Sequence, residues 1–385
     1  MYVASCVILP AILRAPLVRL DNKELRLAPV GLLDGITVLD HSTVGPAARA
    51  TAALRDLGAR VIKIAAPASA ARIEPPFYAY GAHRDMQRMR LDLKSDEGRE
   101  RFLGRARDAD VIVESFRPGV ADRLGVGFEA CREVNQRIVY CAISGYGSSG
   151  PYAGWAGHDI NYLAVGGYLA TQGRRADGGP AMPGATIADA AGGGLQAALA
   201  IASALVRRNE TGEGSFLDVS TTDGVLHLMS LFVDEHLATG AEVAPGSALL
   251  TGRYACYDVY EAGDGGWLAV GAIEGTFFAN LCRALGCEQH ADRQYDDDAQ
   301  EEIRAAFRTA FSTRDRDAWV AALAGADTCV APVLSIAEVA RDSHHTARGS
   351  FVDVTRPDHE PFRQVGPVLA GSARRAGYRA GPQDI

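Results

Sequence analysis

From Gly31 to about Gly150 the chain repeats one pattern: a short apolar run rich in β-branched residues, a stretch of helix formers, then another apolar run. "GITVLDHS" reads as a buried strand. "GPAARATAALRDLGA" reads as a helix with apolar residues at helical spacing and Gly58 at its C-terminal end. "RVIKIAAP" is the next strand. Strands joined through a helix run parallel, so this β-α-β unit commits the chain to a parallel sheet. The pattern continues. "RMRLDLKS" is strand-like, and "SDEGRERFLGRARDA" is a helix opened by a Ser95 or Asp96 cap with acids in its first turn. "DVIVESF" and "RIVYCAISGYG" are further strands. The expected fold class is α/β, with an open, doubly wound sheet.

Beyond this sheet "GLQAALAIASALVRRNETGEG" predicts a long helix, apolar almost all round and therefore buried. After about residue 225 the texture changes. "GRYACYDVYEAGDGGWLAVGAIE" predicts two strands joined by a "GDGG" hairpin. Helical segments follow in "TFFANLCRAL", "QEEIRAAFRTAFST" and "RDAWVAALAGA", and "GSFVDVTRP" is a late strand. The expected organisation is an N-terminal extension over 1–30, a large domain over 31–225 completed by 340–385, and a linker with a small α+β domain over 226–339. The first thirty residues carry an apolar run broken by Pro10 and Arg14, too short to span a bilayer and without a basic secretory leader. They read as a surface-packed extension, or as a translation start placed too far upstream. No other segment is expected to resemble a membrane span.

The formal charge of −8 excludes a general affinity for nucleic acid or an anionic membrane. Seven cysteines (Cys6, Cys131, Cys141, Cys256, Cys282, Cys287, Cys329) are scattered without metal-ligand spacing. An odd count without a framework implies reduced thiols, a cytoplasmic setting and no metal site. The first strand–helix turn, "DHSTVGPAA", lacks the G-x-G-x-x-G that lets a backbone approach a pyrophosphate, so a nicotinamide or flavin enzyme is disfavoured. There is no phosphate-binding P-loop, no G-x-S-x-G elbow and no H-E-x-x-H.

What remains is a set of acid–base candidates near glycine-rich turns. "GHDINY" sets His158 beside Asp159, "TIADAAGGG" sets Asp189 before three glycines, and "VGAIEG" sets Glu274 just past a strand. Each has an ordinary alternative: a satisfied structural histidine, a helix N-cap, a solvated loop acid. Backbone N–H groups at a helix start can stabilise a developing oxyanion, which makes the amides of Asp189 and Gly192 candidates.

The chain resembles the family III (CaiB/BaiF-type) CoA-transferases, and within them the α-methylacyl-CoA racemases. The likeness rests on "DLGARVIKI", "RLDLKSDEGRERF", "ESFRPGVADRLG", "SGYGSSGPYAGWAGHDINY", "IADAAGGG", "DVSTTDGVL", "GGWLAVGAIE" and "CVAPVLSIAEVARDSHHTARGSFVDV", in family order from Gly31 nearly to the C-terminus. The resemblance implies a Rossmann-like large domain, a small domain from the middle of the chain, and an interlocked homodimer with active sites between domains of different subunits. It implies that His158 and Asp189 are the two acid–base groups on opposite sides of the substrate α-carbon, with Glu274 hydrogen-bonded to the histidine. The implied activity is cofactor-independent racemisation of 2-methyl-branched acyl-CoA thioesters through an enolate, with coenzyme A as part of the substrate. Branched fatty, sterol-derived and arylpropionyl thioesters are the acyl classes it brings.

The chemistry suits those residues. A C–H beside a thioester carbonyl is weakly acidic, so one group must remove the proton and another return one to the opposite face. Phosphates of CoA call for cations, and Lys63, Arg72, Arg84, Arg88, Arg90, Lys94 and Arg117 are the candidates. The chain departs from the family here. "HRDMQRMRLDLK" has Met86 and Gln87 where many members carry a basic pair, and Ala65 replaces an acid that commonly ends the preceding strand. The main rival is CoA transfer between carboxylic acids, with Asp189 as nucleophile forming an aspartyl-CoA thioester. His158 discriminates, because transferase members generally lack a histidine in that motif. A non-catalytic acyl-CoA-binding paralogue is opposed by the complete trio. A dehydratase or epimerase sharing the deprotonation step remains an alternative.

Overall fold

The computed structural model describes residues 31–42, 44–69, 76, 83–371 and 378–385. The proposed N-terminal extension, Cys6 and Arg72 lie outside the described residues. Six parallel strands, β1 (Thr37–His41), β2 (Arg60–Ala65), β3 (Gln87–Arg90), β4 (Val111–Glu114), β5 (Val139–Ser144) and β6 (Ser215–Ser220), lie in the order β3-β2-β1-β4-β5-β6. This is the doubly wound order, with its switch point between β1 and β4. Strand β1 is buried on both faces, as a parallel strand between helical layers must be. One face packs Val38, Val61, Val111 and Val139 on Ala50, Leu54 and Ile201. The other packs Leu39, Ile62, Ile112 and Tyr140 on Phe102 and Cys131.

The helices of these layers are α1 (Gly45–Asp56), α2 (Asp96–Ala106), α3 (Val120–Arg123), α4 (Phe128–Val134), α5 (Asp159–Val165) and α6 (Gln196–Thr211). Helix α1 stops before Gly58, whose φ of 111° suits glycine. Ser95 is the α2 cap, its hydroxyl accepting from the Gly98 amide at 3.0 Å, with Asp96 and Glu97 in the first turn. Such a cap contributes about 1 kcal/mol.

The long helix starts as a π-helical segment, Ala188–Leu195, and continues as α6. The expectation of all-round burial is corrected: Ile201 and Leu205 are buried, but Leu199 is 70% and Val206 64% exposed. Ala188–Thr211 is also long and apolar enough to pass for a membrane span, contrary to the expectation that no segment would, with 44% of its most apolar window buried inside the protein. After β6 come α7 (Thr221–Leu228) and α8 (Ser230–Thr239).

The small α+β unit holds β7 (Tyr257–Glu261), β8 (Trp267–Gly271) and the short β9 (Val330–Pro332) in one antiparallel sheet. The "GDGG" turn closes with the Ala262 amide donating to the Gly266 carbonyl at 2.7 Å. Helices α9 (Gly275–Leu285), α10 (Gln300–Phe311) and α11 (Arg316–Leu323) cover that sheet around Tyr260, Phe278, Phe307, Phe311 and Trp319. In the C-terminal segment β10 (Phe351–Arg356), β11 (His359–Val365) and β12 (Tyr378–Arg379) form a separate three-stranded sheet. Only the last strand, Gln383–Asp384, joins the large sheet, parallel to β3. The six described cysteines are free.

Candidate active site

Two loops leave the C-terminal ends of parallel strands and converge, as is usual for sites in open α/β sheets. The loop after β1 enters α1 at Gly45, whose φ of 75° requires glycine. Its entry is held from below. Buried Asp40 accepts from the Ser42 hydroxyl at 2.6 Å, the Thr51 hydroxyl at 2.6 Å and the Lys63 ammonium at 2.8 Å. Burial pushes the Asp40 carboxyl up, but Lys63 and these hydrogen bonds outweigh it and hold the group below its ordinary value.

The loop after β5 carries "SGYGSSGPYAGWAGHD". A ring cluster braces it: Tyr146 meets Tyr162, Tyr152 and Trp155 at 5.3, 6.0 and 6.1 Å between centroids. The Tyr162 hydroxyl donates to the Gly157 carbonyl at 2.5 Å, pinning the residue before His158. His158 is then the residue that precedes α5. Its amide donates to Asn161 Oδ1 at 3.0 Å, and its ring is left exposed.

Asp189 lies in the first turn of the π-helical segment, half-buried. Its amide donates to Asp159 Oδ1 at 2.8 Å, which joins the two acid–base turns across thirty residues of chain. Its carboxylate faces the start of α1, with Oδ2 3.8 Å from where a Gly45 Cβ would stand. Burial, then the Asp159 charge, pushes the Asp189 carboxyl up to about 6, against the pull of Arg49 and His158. The structure therefore brings His158 and Asp189 into one electrostatic environment. It also adds Arg49, which the sequence reading missed. Arg49 is in the second turn of α1 and hydrogen-bonds Thr186 at 3.3 Å. Only its place one turn past a strand–helix junction signals it.

The expected oxyanion donors are corrected. The Asp189 amide is engaged by Asp159, and Gly192 is buried against α7 rather than free at a helix start. The three glycines serve close packing. A Cβ on Gly193 would collide with Pro46, one on Gly194 would lie 2.6 Å from the Arg49 Cβ, and one on Gly224 of α7 would collide with the Gly192 carbonyl oxygen. Gly224→Ala should therefore cost about 1–3 kcal/mol of stability, read as a lower urea midpoint. An unchanged midpoint would mean that the α7 contact is slack.

Glu274 precedes α9, which covers the antiparallel β7–β9 sheet, and it is exposed. Its charge acts on Tyr295 and Cys329, and among the described residues no hydrogen bond or ion pair joins it to His158.

Most of the expected CoA cations are committed elsewhere. Lys63 is spent on Asp40. Arg84 is 1% exposed and forks onto Asp56 at 2.9 and 3.0 Å. Arg88 pairs with Asp384 at 2.5 Å, and Arg90 donates to the Ala66 carbonyl at 3.2 Å. Lys94 and Arg117 are exposed. Met86 is a core residue, and Gln87 accepts from Arg60 at 2.8 Å. A cavity of about 310 Å³ opens beside the ends of β4–β6, but Glu114, Asp122, Glu129 and Asp218 line it without a lysine or arginine. Burial, with Asp122 and Asp218 adding to it, pushes Glu114 up to about 7. Such a lining repels phosphate.

Comparisons with known proteins bear on the family to which the chain belongs. A family model described as CoA-transferase family III matches residues 33–383. The alpha-methylacyl-CoA racemase of Homo sapiens is 33% identical over 351 residues, covering 91% of this chain and 90% of its own. The acetyl-CoA:oxalate CoA-transferase of Acetobacter aceti is 32% identical over 344 residues, covering 84% of this chain and 86% of its own. A solved CAIB/BAIF family protein from Brucella suis superposes with a TM-score of 0.71 at 27% identity, covering 86% of this chain and 90% of its own. With the doubly wound sheet, the paired His158 and Asp189 turns, and a family match running over nearly all the described residues, the chain belongs to CoA-transferase family III.

Proposed function

We propose that this family III enzyme racemises 2-methyl-branched acyl-CoA thioesters by two-base proton transfer at the α-carbon. The observation that carries the reading is an exposed His158 and a half-buried Asp189, two groups of different chemistry on turns joined through Asp159 at the C-terminal ends of the strands. The likeness to a racemase over 91% of the chain supports it. One group removes the α-proton, the electron pair moves onto the thioester oxygen as an enolate, and the other group returns a proton to the opposite face. The groups must begin in opposite protonation states, and a carboxyl raised to about 6 takes the protonated role more easily than an ordinary aspartate. The CoA portion supplies remote binding energy, for which Lys94 and Arg117 are the exposed cations of the expected set. No metal or redox group is needed for this proton traffic.

Glu274 supports His158 in this proposal only from a second copy of the chain, in an interlocked homodimer. Exposed Leu195, Leu199, Val206, Leu226, Leu231 and Leu237 on α6–α8 and the π-helical segment give such a dimer an apolar face to bury. The second reading, CoA transfer through an aspartyl-CoA on Asp189, is favoured by the half-buried Asp189 carboxylate and by the transferase among the relatives.

The test uses a 2-methylacyl-CoA in deuterium oxide with no acceptor acid. Loss of the α-proton with inversion supports the racemase. No exchange, but CoA movement once a free acid is added, supports the transferase. A pH dependence follows with a definite sign. Asp189 acts as base only when ionised, so proton removal from the enantiomer whose α-hydrogen faces it should decline as pH falls below about 6. Initial rates for each enantiomer between pH 4.5 and 8 check this, and a flat profile through 6 for both would exclude Asp189 as a base.

A further inference from the structure

The Asp159 side chain ties the two acid–base turns together. It opens α5 immediately after His158, and its Oδ1 accepts the Asp189 amide at 2.8 Å. We infer that Asp159 is a positioning residue of this site: its carboxylate fastens the Asp189 turn to the His158 turn and holds a negative charge against the Asp189 carboxyl. The inference rests on the acid–base roles proposed above, although its first readout needs no turnover.

The charges that bear on the Asp189 carboxyl come from α1 and from the α5 turn. Arg49 comes from α1; His158, Asp159 and the Tyr162 hydroxyl come from the start and first turn of α5. Helix α7 presents Thr221 and Val225, which are uncharged. Burial is the largest influence raising the Asp189 proton affinity, Asp159 is next, and Arg49 and His158 oppose them. The consequence is functional. A racemase must run in both directions, and an ordinary aspartate, near pH 4, would hand a proton to the enolate far more readily than an imidazole would. A carboxyl raised to about 6 holds its proton more tightly than an ordinary aspartate does, which lets Asp189 serve as acid as well as base. The same hydrogen bond fixes the spacing of the two groups, to which reaction rate is steeply sensitive.

The test labels aspartate side-chain carboxyls with carbon-13 and follows Asp189 by NMR against pH, with Asp189→Asn assigning its signal. Asp159→Asn keeps an oxygen for the Asp189 amide and removes the charge. Its Asp189 midpoint should fall from about 6 toward the ordinary aspartate range. An unmoved midpoint overturns the inference. Asp159→Ala should lower turnover about 10–100-fold with little change in KM, and Asp159→Asn should recover part of it. Equal turnover in Asp159→Ala and the native enzyme also overturns it. If the native enzyme exchanges no α-proton, the racemase proposal fails by itself, and the NMR midpoints still judge Asp159.

Discussion

Replacing His158 with alanine should lower racemisation of a 2-methylacyl-CoA by about 10³-fold or more, a loss of roughly 4 kcal/mol of transition-state stabilisation. The loss should be unequal in its parts. With the imidazole gone, Asp189 can still remove the proton from the enantiomer that presents its α-hydrogen to it, and can return a deuteron to the same face. Deuterium exchange with retention should therefore survive for one enantiomer, while the other exchanges nothing and inversion disappears. Asp189→Asn should give the mirror-image result. The fold should be untouched, because the His158 ring is exposed and the residue is held through its amide and Asn161. Chiral analysis combined with α-proton NMR on each pure enantiomer checks this. Native turnover in the alanine variant would remove His158 from the mechanism. Equal loss of exchange from both enantiomers would indicate that the histidine orients the substrate instead.

Much of this architecture was legible because it rests on periodicity and local chemistry. The β1-α1-β2 unit, the Ser95 cap and the "GDGG" hairpin depend only on apolar spacing, short polar side chains and glycine turns, and they stand where those signals fall. Helices α3 and α4 were not anticipated. At four and seven residues they are too short to display a helical period, and they exist because they cover the β4–β5 face around Val126 and Cys131. The glycine run after Asp189 was legible as a special backbone but not for its purpose. A sequence shows three missing side chains, whereas only the packed structure shows Pro46, Arg49 and α7 occupying that space. His158 and Asp189 were found through their motifs, and the structure adds their link through Asp159. Cations were the least legible, because a basic residue carries no local mark of the acid it will meet. Lys63 meets Asp40 from the neighbouring strand, and Arg88 meets Asp384 from nearly three hundred residues away.

Arg84 gives that lesson its strongest test. Its guanidinium is buried and forks onto Asp56 at the end of α1. It also donates to the Val365 carbonyl of β11 at 2.8 Å and stacks 4.9 Å over the Tyr378 ring of β12. One side chain thus ties the C-terminal sheet to α1, the first helix packed on the parallel sheet. Breaking a buried ion pair by removing one partner costs about 3–5 kcal/mol. Asp56 retains Arg55, at 2.6 Å, as a counter-charge, so Arg84→Met belongs near 3 kcal/mol. The expected result is a markedly lower urea midpoint, with amide exchange accelerating first in β10–β12. KM for acyl-CoA in the protein that remains folded should stay within about twofold of the native value, since uniform binding is what KM reads. A CoA-phosphate role predicts the reverse, native stability with a raised KM. The variant therefore separates a structural arginine from a substrate contact in a single preparation. A raised KM without loss of stability would restore Arg84 to the CoA site and require the Asp56 pair to open when substrate binds.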